Sequence, residues 1–449
     1  MSANRLFHVL MIGTLLLTGC VGDGSSGGSS DSATSQTEST GSDTETDSQT
    51  DTTVVPDTTL WMLNTEGERS GTIFEENTNQ GVLVNVQSVE AVTRDGKNYV
   101  EVQSSGIPSY RVEVTQELLD SLDERPNAAT DFASGMPDLA VGEEVAFGQD
   151  IGYLSTTRGN CMTTGGYGYW PPGPDCPQDI AKVGDFPVEP SDNDTVCDTG
   201  LGPVGYFLNG TSIYNWDDGQ SYNNEDTWHN TAANAEVHDL DICSGHAAQS
   251  DYHHHNWSHC LADQLDDEGN GHSPIYGFAA DGYPVYGPWF ADGELARSAW
   301  VARDYSDPDS ASGCGEANAR TCLLVDPYDL TQGTMPAANA GPASNGTITS
   351  MSGNPIAAES GLYFEDYYYD PSLTAQGGAY LDEHNGHAHD GLGYHYHLSM
   401  ARNDAGELVP AFPFTVGPTF KGELDDNTVT QCGGQVPGGA GGMFPPPGL

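Results

Sequence analysis

Histidine is the residue whose spacing in this chain points most directly to chemistry. Five of the 14 histidines lie between residues 381 and 398, and they are His384, His387, His389, His395 and His397. The last two alternate with tyrosines in Tyr394-His395-Tyr396-His397. Residues i and i+2 of a strand project from one face, so His395 and His397 should lie side by side with both tyrosines opposite. Paired neutral imidazoles are typical ligands of copper or zinc.

A stretch of the same form lies earlier, between residues 240 and 261. Both stretches read Leu-Asp, then Gly-His, then Tyr-His-x-His after a short gap. The matched histidines are His246 with His387, His253 with His395, and His255 with His397. His254 and His389 should point away from these pairs if the strands alternate regularly. Six special residues matched in order indicate an internal duplication.

Each histidine stretch is accompanied by a predicted hairpin. Asn209-Gly210 and Asp281-Gly282 are tight-turn dipeptides between apolar runs, the usual hairpin signal. We interpret residues 201–262 and 273–422 as two halves of one pseudo-two-fold β domain. Such a core could bring both histidine strands to one shared metal site. Asn209 and Asp281 are expected to shape the turns.

The candidate metal ligands are therefore seven histidines: His253, His255, His395, His397, His246, His387 and His384. Asp241 and Asp382 occupy equivalent places and could orient the imidazoles from behind, together with Tyr252 and Tyr394. The alternative is that the histidines are structural, buried and hydrogen-bonded to carbonyls and tyrosines. Paired histidines in a repeated motif favour metal binding.

The rest of the chain predicts a mainly β fold with long loops. Val82, Val84 and Val86 begin an alternating pattern, and Asp95-Gly96 turns the chain into a second strand near residues 99–102. Residues 110–114 form a further predicted strand. A short helix should follow at residues 115–122, with a threonine as its N-cap. Residues 125–200 and the insertion at 303–360 are expected to be ordered loops, and residues 363–369 a strand.

The chain has nine cysteines, and their number indicates how they pair. Cys20 is set apart by the export signal described below, and the even number that remains predicts four disulfides in an exported chain. The expected pairs are Cys243–Cys260, Cys314–Cys322, Cys161–Cys176 and Cys197–Cys432. Alternatively, Cys243 beside His246 could be a metal thiolate.

The N-terminus resembles a bacterial export signal. Arg5 precedes an apolar run at residues 9–17, and Leu-Thr-Gly-Cys at residues 17–20 matches a lipobox. We expect a signal peptide at residues 1–19, acylation of Cys20, and a disordered Ser/Thr/Asp/Gly tether over 20–58. The protein would then be lipid-anchored at the bacterial cell envelope. The remaining expected segments are an N-terminal hairpin and loop region at 59–200, the duplicated domain at 201–432, and a Gly/Pro tail at 433–449.

A net charge of −52 limits the partners. Nucleic acid is excluded because no basic patch can form. Contact with the membrane is expected through the N-terminal lipid alone. Acidic residues such as Asp266, Asp267 and Glu268 could bind calcium, although they match no EF-hand pattern.

The motifs resemble the YHYH-domain protein family. The resemblance lies in residues 394–397, in Ser273-Pro274-Ile275 with the segment 282–288, and in Phe412-Pro413-Phe414 before Gly417. It covers roughly residues 100–422 and implies a secreted, mostly β domain, but it does not imply a reaction. The first repeat departs from the family motif, because it reads Tyr-His-His-His where the motif is Tyr-His-Tyr-His. Family members carry cysteines where this chain has His384 and Pro418, so the resemblance implies that a disulfide of the second half is lost.

Three classes of function remain open. The first is a surface lipoprotein that binds copper or zinc. The second is a metal-assisted extracellular hydrolase or oxidoreductase, in which Asp281 or Asp382 could take part in acid–base chemistry. The third is a structural or adhesive module. No nucleophile–base pair is recognisable, so the sequence identifies no catalytic residue.

The histidine pattern makes a direct prediction about composition. We expect the purified, folded domain to bind near-stoichiometric copper or zinc, because the imidazoles supply borderline nitrogen ligands. Elemental analysis after loading with the metal measures this. Protein that holds no transition metal after loading would contradict the metal hypothesis.

Overall fold

The structure, a computed structural model, describes residues 55–75, 78–153 and 175–433. The export signal, the lipobox, nearly all of the tether and the tail, and Cys161 lie outside the described residues. Secondary structure is mainly β, with 33% strand and 10% helix. The predicted fold class is therefore right in its composition.

Most of the described strands are short, and there are fewer helices than strands among the described residues. The strands are β1 Arg69–Phe74, β2 Gly81–Leu83, β3 Val86–Arg94, β4 Lys97–Ser104, β5 Arg111–Glu113, β6 Glu144–Ala146, β7 Lys182–Pro187, β8 Pro203–Phe207, β9 Ser212–Tyr214, β10 Asp217–Ser221, β11 His229–Thr231, β12 His246–Ala248, β13 Asp251–His254, β14 Ile275–Ala279, β15 Pro284–Tyr286, β16 Trp289–Ala291, β17 Glu294–Leu295, β18 Trp300–Ala302, β19 Cys322–Leu324, β20 Thr334–Pro336, β21 Thr347–Thr349, β22 Pro355–Ala357, β23 Tyr367–Tyr369, β24 Gly386–Ala388, β25 Tyr394–His397, β26 Met400–Arg402 and β27 Leu408–Pro410. The helices are α1 Gln116–Asp123, α2 Ala128–Asp131, α3 Ala232–Ala235, α4 His259–Gln264 and α5 Pro371–Thr374, with 3₁₀ turns at Tyr222–Asn224, Leu330–Gln332 and Phe364–Asp366. Within the described ranges, none of these helices is both long and apolar enough to cross a membrane.

An eight-stranded sheet carries both histidine strands. Its order is β12-β13-β9-β8-β14-β15-β25-β24. The antiparallel pair β8–β14 lies at the centre. Reading outward on each side, the central strand is followed by its hairpin partner, then by a parallel strand, then by an antiparallel edge strand. The two halves of the sheet therefore have the same pairing pattern.

Two glycines allow the central strands to approach. A Cβ on Gly205 would lie 2.3 Å from the carbonyl oxygen of Phe278, and one on Gly277 would lie 2.3 Å from that of Tyr206. Real Cβ atoms do not approach an oxygen so closely, so both positions require glycine. The two contacts mirror each other across the centre of the sheet.

The predicted turns join the strands of each half. Asn209 Oδ1 accepts a hydrogen bond from the amide of Thr211 at 3.1 Å, and Asp281 Oδ1 accepts one from the amide of Tyr283 at 3.2 Å. The glycine after each has positive φ, +82° at Gly210 and +87° in the second turn. These side chains shape their turns, as predicted.

The two faces of the large sheet have different covers. One face packs into the main hydrophobic core, which includes Val204, Phe207, Val285 and Tyr396. On the other face, the small sheet β3-β4-β7 covers the central strands through Trp61, Phe186, Tyr206 and Phe278. The small sheet does not cover the outer strands of this second face, and the histidines lie there.

The N-terminal elements agree with the sequence patterns in part. The alternating segment from Val82 is divided between β2 and β3 at Asn85, whose φ is +60°, and residues 125–200, expected to be loops, contain α2, β6 and β7. β3 and β4 form the predicted hairpin, and Thr115 caps α1 by accepting a hydrogen bond from the amide of Leu118 at 3.1 Å. β7 was not predicted, because Lys-Val-Gly-Asp-Phe-Pro lacks a regular apolar alternation. It forms the third strand of the small sheet by pairing with β4.

The insertion at 303–360 contains two small hairpins, β19–β20 and β21–β22. Its interior is held by a charged pair with no solvent exposure. Arg320 donates from Nε and Nη2 to the two oxygens of Asp366 at 2.8 and 2.9 Å. The segment 363–369, predicted as one strand, is a 3₁₀ turn followed by β23.

Three predicted disulfides are confirmed among the described residues: Cys197–Cys432, Cys243–Cys260 and Cys314–Cys322. Cys176 is also disulfide-bonded, while the predicted pairing with Cys161 concerns a residue outside the described ranges. The alternative of a metal thiolate at Cys243 is wrong, because its sulfur is bonded to Cys260.

The buried pair in the insertion predicts a large stability effect. We expect Asp366→Asn to lower the free energy of unfolding by about 3–5 kcal/mol, because it leaves the Arg320 guanidinium buried without its counter-charge. Glu294→Gln removes the partner of Arg297 in an exposed pair and should change stability by less than about 1 kcal/mol. Chemical denaturation followed by circular dichroism compares the two. Equal effects would contradict this role.

Candidate metal centres

The histidine strands form two separate clusters instead of one shared site. Four strands, β9, β8, β14 and β15, lie between β13 and β25. At about 4.8 Å per strand the two histidine strands are about 24 Å apart. The expectation that they converge is wrong, because each strand pairs beside its own hairpin. The clusters lie toward opposite edges of the sheet.

The first cluster consists of His246, His253 and His255, whose ligand nitrogens all lie within 4.8 Å of one another. His246 on β12 is the register partner of His253 on β13. Nε2 of His253 lies 3.1 Å from Nε2 of His255. All three side chains are buried.

Backbone carbonyls fix the orientation of two of these rings. His253 Nδ1 lies 2.9 Å from the carbonyl oxygen of Asp251, and His255 Nδ1 lies 2.7 Å from that of Asn215. A carbonyl can only accept, so each Nδ1 carries the proton of the neutral ring. Both Nε2 atoms then present lone pairs to each other at 3.1 Å, an arrangement that a cation between them would stabilise.

Glu236 supplies a carboxylate to the first cluster. Its Oε2 lies 3.3 Å from Nε2 of His246 and 3.5 Å from Nε2 of His255. Glu236 is the residue directly after α3, so the helix end places it. The three nitrogens form the close group and the Glu236 oxygen borders it, so these side chains together could supply the four ligands of a tetrahedral zinc or copper site.

The second cluster consists of His272, His389, His395 and His397, again with ligand atoms within 4.8 Å of one another. His395 and His397 lie on β25 and have no solvent exposure. His272 comes from the loop before β14, and His389 from the turn after β24. Both are half-buried.

Three rings of the second cluster repeat the orientation found in the first. The Nδ1 atoms of His272, His395 and His397 lie 2.8, 2.9 and 2.6 Å from the carbonyl oxygens of Ser273, Gly393 and Gly287. Their Nε2 atoms are buried and have no hydrogen-bond partner among the described residues. Buried polar atoms are normally paired, and three inward-facing lone pairs in one group could hold a metal ion.

His387 and His384, both predicted ligands, have different positions. The ring centroid of His387 lies 4.6–5.1 Å from those of His389, His395 and His397, so it borders the second cluster. His384 lies outside it, since its Nδ1 bonds Thr419 Oγ1 at 2.7 Å. The expectation that His389 points away is wrong, because it lies on the turn and not on the strand.

His254 points to the opposite face, as predicted. Its Nε2 lies 3.0 Å from the hydroxyl of Tyr110, and its Nδ1 lies 3.0 Å from the carbonyl oxygen of Ser244. This ring is a satisfied core histidine. The alternation of β13 thus separates His254 from the metal-ligand candidates on either side of it.

Asp241 and Asp382 do not bond the imidazoles directly. Asp241 accepts a hydrogen bond from the hydroxyl of Tyr252 at 2.8 Å, and Asp382 accepts one from that of Tyr394 at 3.0 Å. Each aspartate also accepts amide hydrogens of the turn that precedes β12 or β24. The predicted role of these four residues in orienting the imidazoles is therefore not seen, because aspartate and tyrosine hold the turns together and backbone carbonyls orient the rings.

Tyrosine rings also pack against the clusters on the face of the sheet that carries the histidines. Tyr214 at the end of β9 stacks on His253 with ring centroids 3.7 Å apart. Tyr286 at the end of β15 contacts His395 with centroids 4.7 Å apart. These tyrosines occupy equivalent places in the two halves of the sheet. They exclude water from one side of each strand pair, which strengthens any electrostatic interaction inside.

Burial keeps the candidate ligands neutral. It lowers the pKa of five of these rings: His255 and His387 to about 4, His395 to about 3, and His253 and His397 well below the ordinary value. Neighbouring histidines lower several of these pKa values further. Neutral imidazole is the form that binds a metal.

Sequence reasoning missed three members of the sites. The sequence patterns do not indicate His272 or Glu236 as ligands, and they predict that His389 points away. Glu236 and His272 reach their clusters only through the return of a helix or loop onto the sheet, so no spacing pattern marks them. Asp267 of the acidic loop accepts hydrogen bonds from Ser273 and Tyr276, so its carboxylate has internal partners.

These features define a disulfide-linked, mainly β domain with two buried histidine clusters on one sheet. The YHYH protein family model matches residues 184–315, and the chain therefore contains a YHYH-family domain, which confirms the resemblance drawn from the motifs. The matched residues include the first cluster, whereas the second histidine strand lies beyond them. No curated protein and no solved structure matches the chain.

The carbonyl contacts predict one tautomer for five rings. In metal-free protein at pH 7, long-range ¹H–¹⁵N spectra should show neutral, Nδ1-protonated rings for His253, His255, His272, His395 and His397. His229 is the control. Burial alone would lower its pKa, but the hydrogen bond and charge of Glu365 outweigh burial and raise the pKa to about 9, so His229 should be doubly protonated. Nε2-protonated rings in the clusters would contradict the lone-pair geometry.

Proposed function

We propose that this protein is a lipid-anchored lipoprotein of the bacterial cell envelope whose YHYH domain binds copper or zinc at two histidine clusters. The observation that carries the proposal is the convergence of Nε2 lone pairs. The nitrogens of His253 and His255 are 3.1 Å apart. Two ligands of a tetrahedral zinc ion with bonds of about 2.0–2.1 Å would be about 3.3 Å apart.

The chemistry of the donors favours late transition metals. Imidazole nitrogen dominates both clusters, and Glu236 adds one carboxylate to the first. Calcium and magnesium require oxygen ligands, so they fit neither cluster. Among divalent ions, Cu(II) binds nitrogen sites more tightly than Zn(II). We therefore expect copper to displace zinc when both are offered.

An internal duplication accounts for the two sites. The halves of the sheet share one pairing pattern, and His246, His253 and His255 correspond in position to His387, His395 and His397. Gly245 and Gly386 correspond as well: a Cβ on either would lie 2.4 Å from the hydroxyl oxygen of a tyrosine. The remaining members differ, since His272 and His389 join the second group where His246 and Glu236 lie in the first, which is expected where two copies have diverged.

The N-terminal sequence supports the location. A lipobox that ends at Cys20, followed by a polar tether, would hold the domain away from the bilayer. The charge of −52 would concentrate cations near the protein. A metal-binding protein held at the envelope would account for the lipobox, the tether and the negative charge together. A purely structural role leaves the inward-facing lone pairs without an explanation.

Two separate sites predict the effects of paired substitutions. We expect two metal equivalents in the loaded protein, and one in either His253→Asn/His255→Asn or His395→Asn/His397→Asn. Asparagine can keep a hydrogen bond to the backbone carbonyl, while the metal-ligating nitrogen is lost. Elemental analysis after gel filtration measures the equivalents, and circular dichroism checks folding.

His384→Asn is the matched control, because it removes a neighbouring histidine that lies outside the clusters, and it should retain both equivalents. If one pair of substitutions removes both metals, the sites are not independent. If the folded wild-type protein takes up no copper or zinc, the proposed function is wrong.

A further inference from the structure

The histidines of the two clusters differ in burial. In the first cluster, His246, His253 and His255 are each no more than 3% exposed, and the Glu236 carboxylate beside them has an 18% exposed side chain. In the second cluster, the rings of His272 and His389 are half-buried, while their Nε2 atoms are buried. A closed ligand shell is typical of structural metal sites, and an accessible position is typical of sites that react or exchange.

The second cluster also has a ligand to spare. His387 borders the four-histidine group, and its Nε2 is buried without a hydrogen-bond partner among the described residues. Four imidazoles form the group and a fifth lies beside it, with ring centroids 4.6–5.1 Å from three of them, although a tetrahedral ion takes four ligands. In the first cluster the equivalent residue, His246, is one of only three histidines.

The half-buried ligands lie on loops. His389 precedes Asp390 and Gly391, which both have positive φ in the turn between β24 and β25. The carboxylate of Asp390 lies 3.4 Å from Nδ1 of His389, and its side chain is 88% exposed. Loop ligands can leave the ion with less disruption than strand ligands, and an exposed carboxylate beside the opening attracts cations.

We propose that the five-histidine site, formed by His272, His387, His389, His395 and His397, is an exchange site. It holds its ion with any four of the five imidazoles, so a loop histidine can be released while His387 keeps the coordination complete. The three-histidine site with Glu236 retains its ion. This inference rests on the proposed function that both clusters bind metal.

The kinetic test uses zinc-loaded full-length protein and excess 4-(2-pyridylazo)resorcinol, a coloured chelator. We expect one equivalent to leave at least about tenfold faster than the other, because only the five-histidine site has ligands on loops and a spare imidazole that can replace one of them. The fast phase should disappear in His395→Asn/His397→Asn and persist in His253→Asn/His255→Asn. Release of both equivalents at one rate, or a fast phase that belongs to the first cluster, would overturn the proposal.

The spare ligand is tested by a double-mutant cycle on zinc affinity at the five-histidine site, in the His253→Asn/His255→Asn background. His272→Asn and His387→Asn should each weaken binding by less than about tenfold, whereas together they should weaken it by more than about a hundredfold, because only three imidazoles then remain. Additive effects would show that His387 has a merely structural role. Protein that binds no zinc at all would overturn the proposed function along with this inference.

Discussion

The hydrogen bond from an imidazole Nδ1 to a backbone carbonyl is the interaction on which both clusters depend. A carbonyl oxygen cannot donate, so each bond places the proton on Nδ1 and the lone pair on Nε2. Strand geometry then directs neighbouring Nε2 atoms into the same volume. Without those carbonyls the same histidines could bond one another through Nε2 protons, and the case for a cation would be lost.

The carbonyls are available because of where the strands end. Asn215 follows β9 and Gly287 follows β15. Asn215 accepts from His255, directly after the neighbouring parallel strand β13, and Gly287 accepts from His397 at the end of β25. The end of a hairpin therefore forms part of each site. The glycines at 205 and 277 act at a longer range, since they let the two hairpins meet at the centre of the sheet.

The two faces of the sheet have different roles: one packs into the hydrophobic core, and the other carries the candidate metal ligands. Tyr394 and Tyr396 extend into the hydrophobic core, while the histidines between and after them face the other way. The small sheet β3-β4-β7 covers only the middle of that second face, which leaves room for a cluster on each side. Burial of neutral imidazoles costs less than burial of charged ones, and it also removes competition from protons at neutral pH.

The sequence by itself determined the local features of this protein. Alternation identified which histidines share a face, turn dipeptides located both hairpins, the cysteine count matched three observed disulfides, and the motifs identified the family. Each of these depends on residues close in sequence, or on simple parity, and needs no knowledge of distant contacts.

The tertiary structure alone decided how many sites there are and what completes them. Pairing of β8 with β14 put the histidine strands toward opposite edges, which the similarity of the two motifs could not reveal, because two similar segments can converge or diverge with equal local geometry. Glu236 and His272 joined the clusters because α3 and the loop before β14 fold back onto the sheet. Those contacts come from long-range packing, and long-range packing leaves no periodic mark in the sequence.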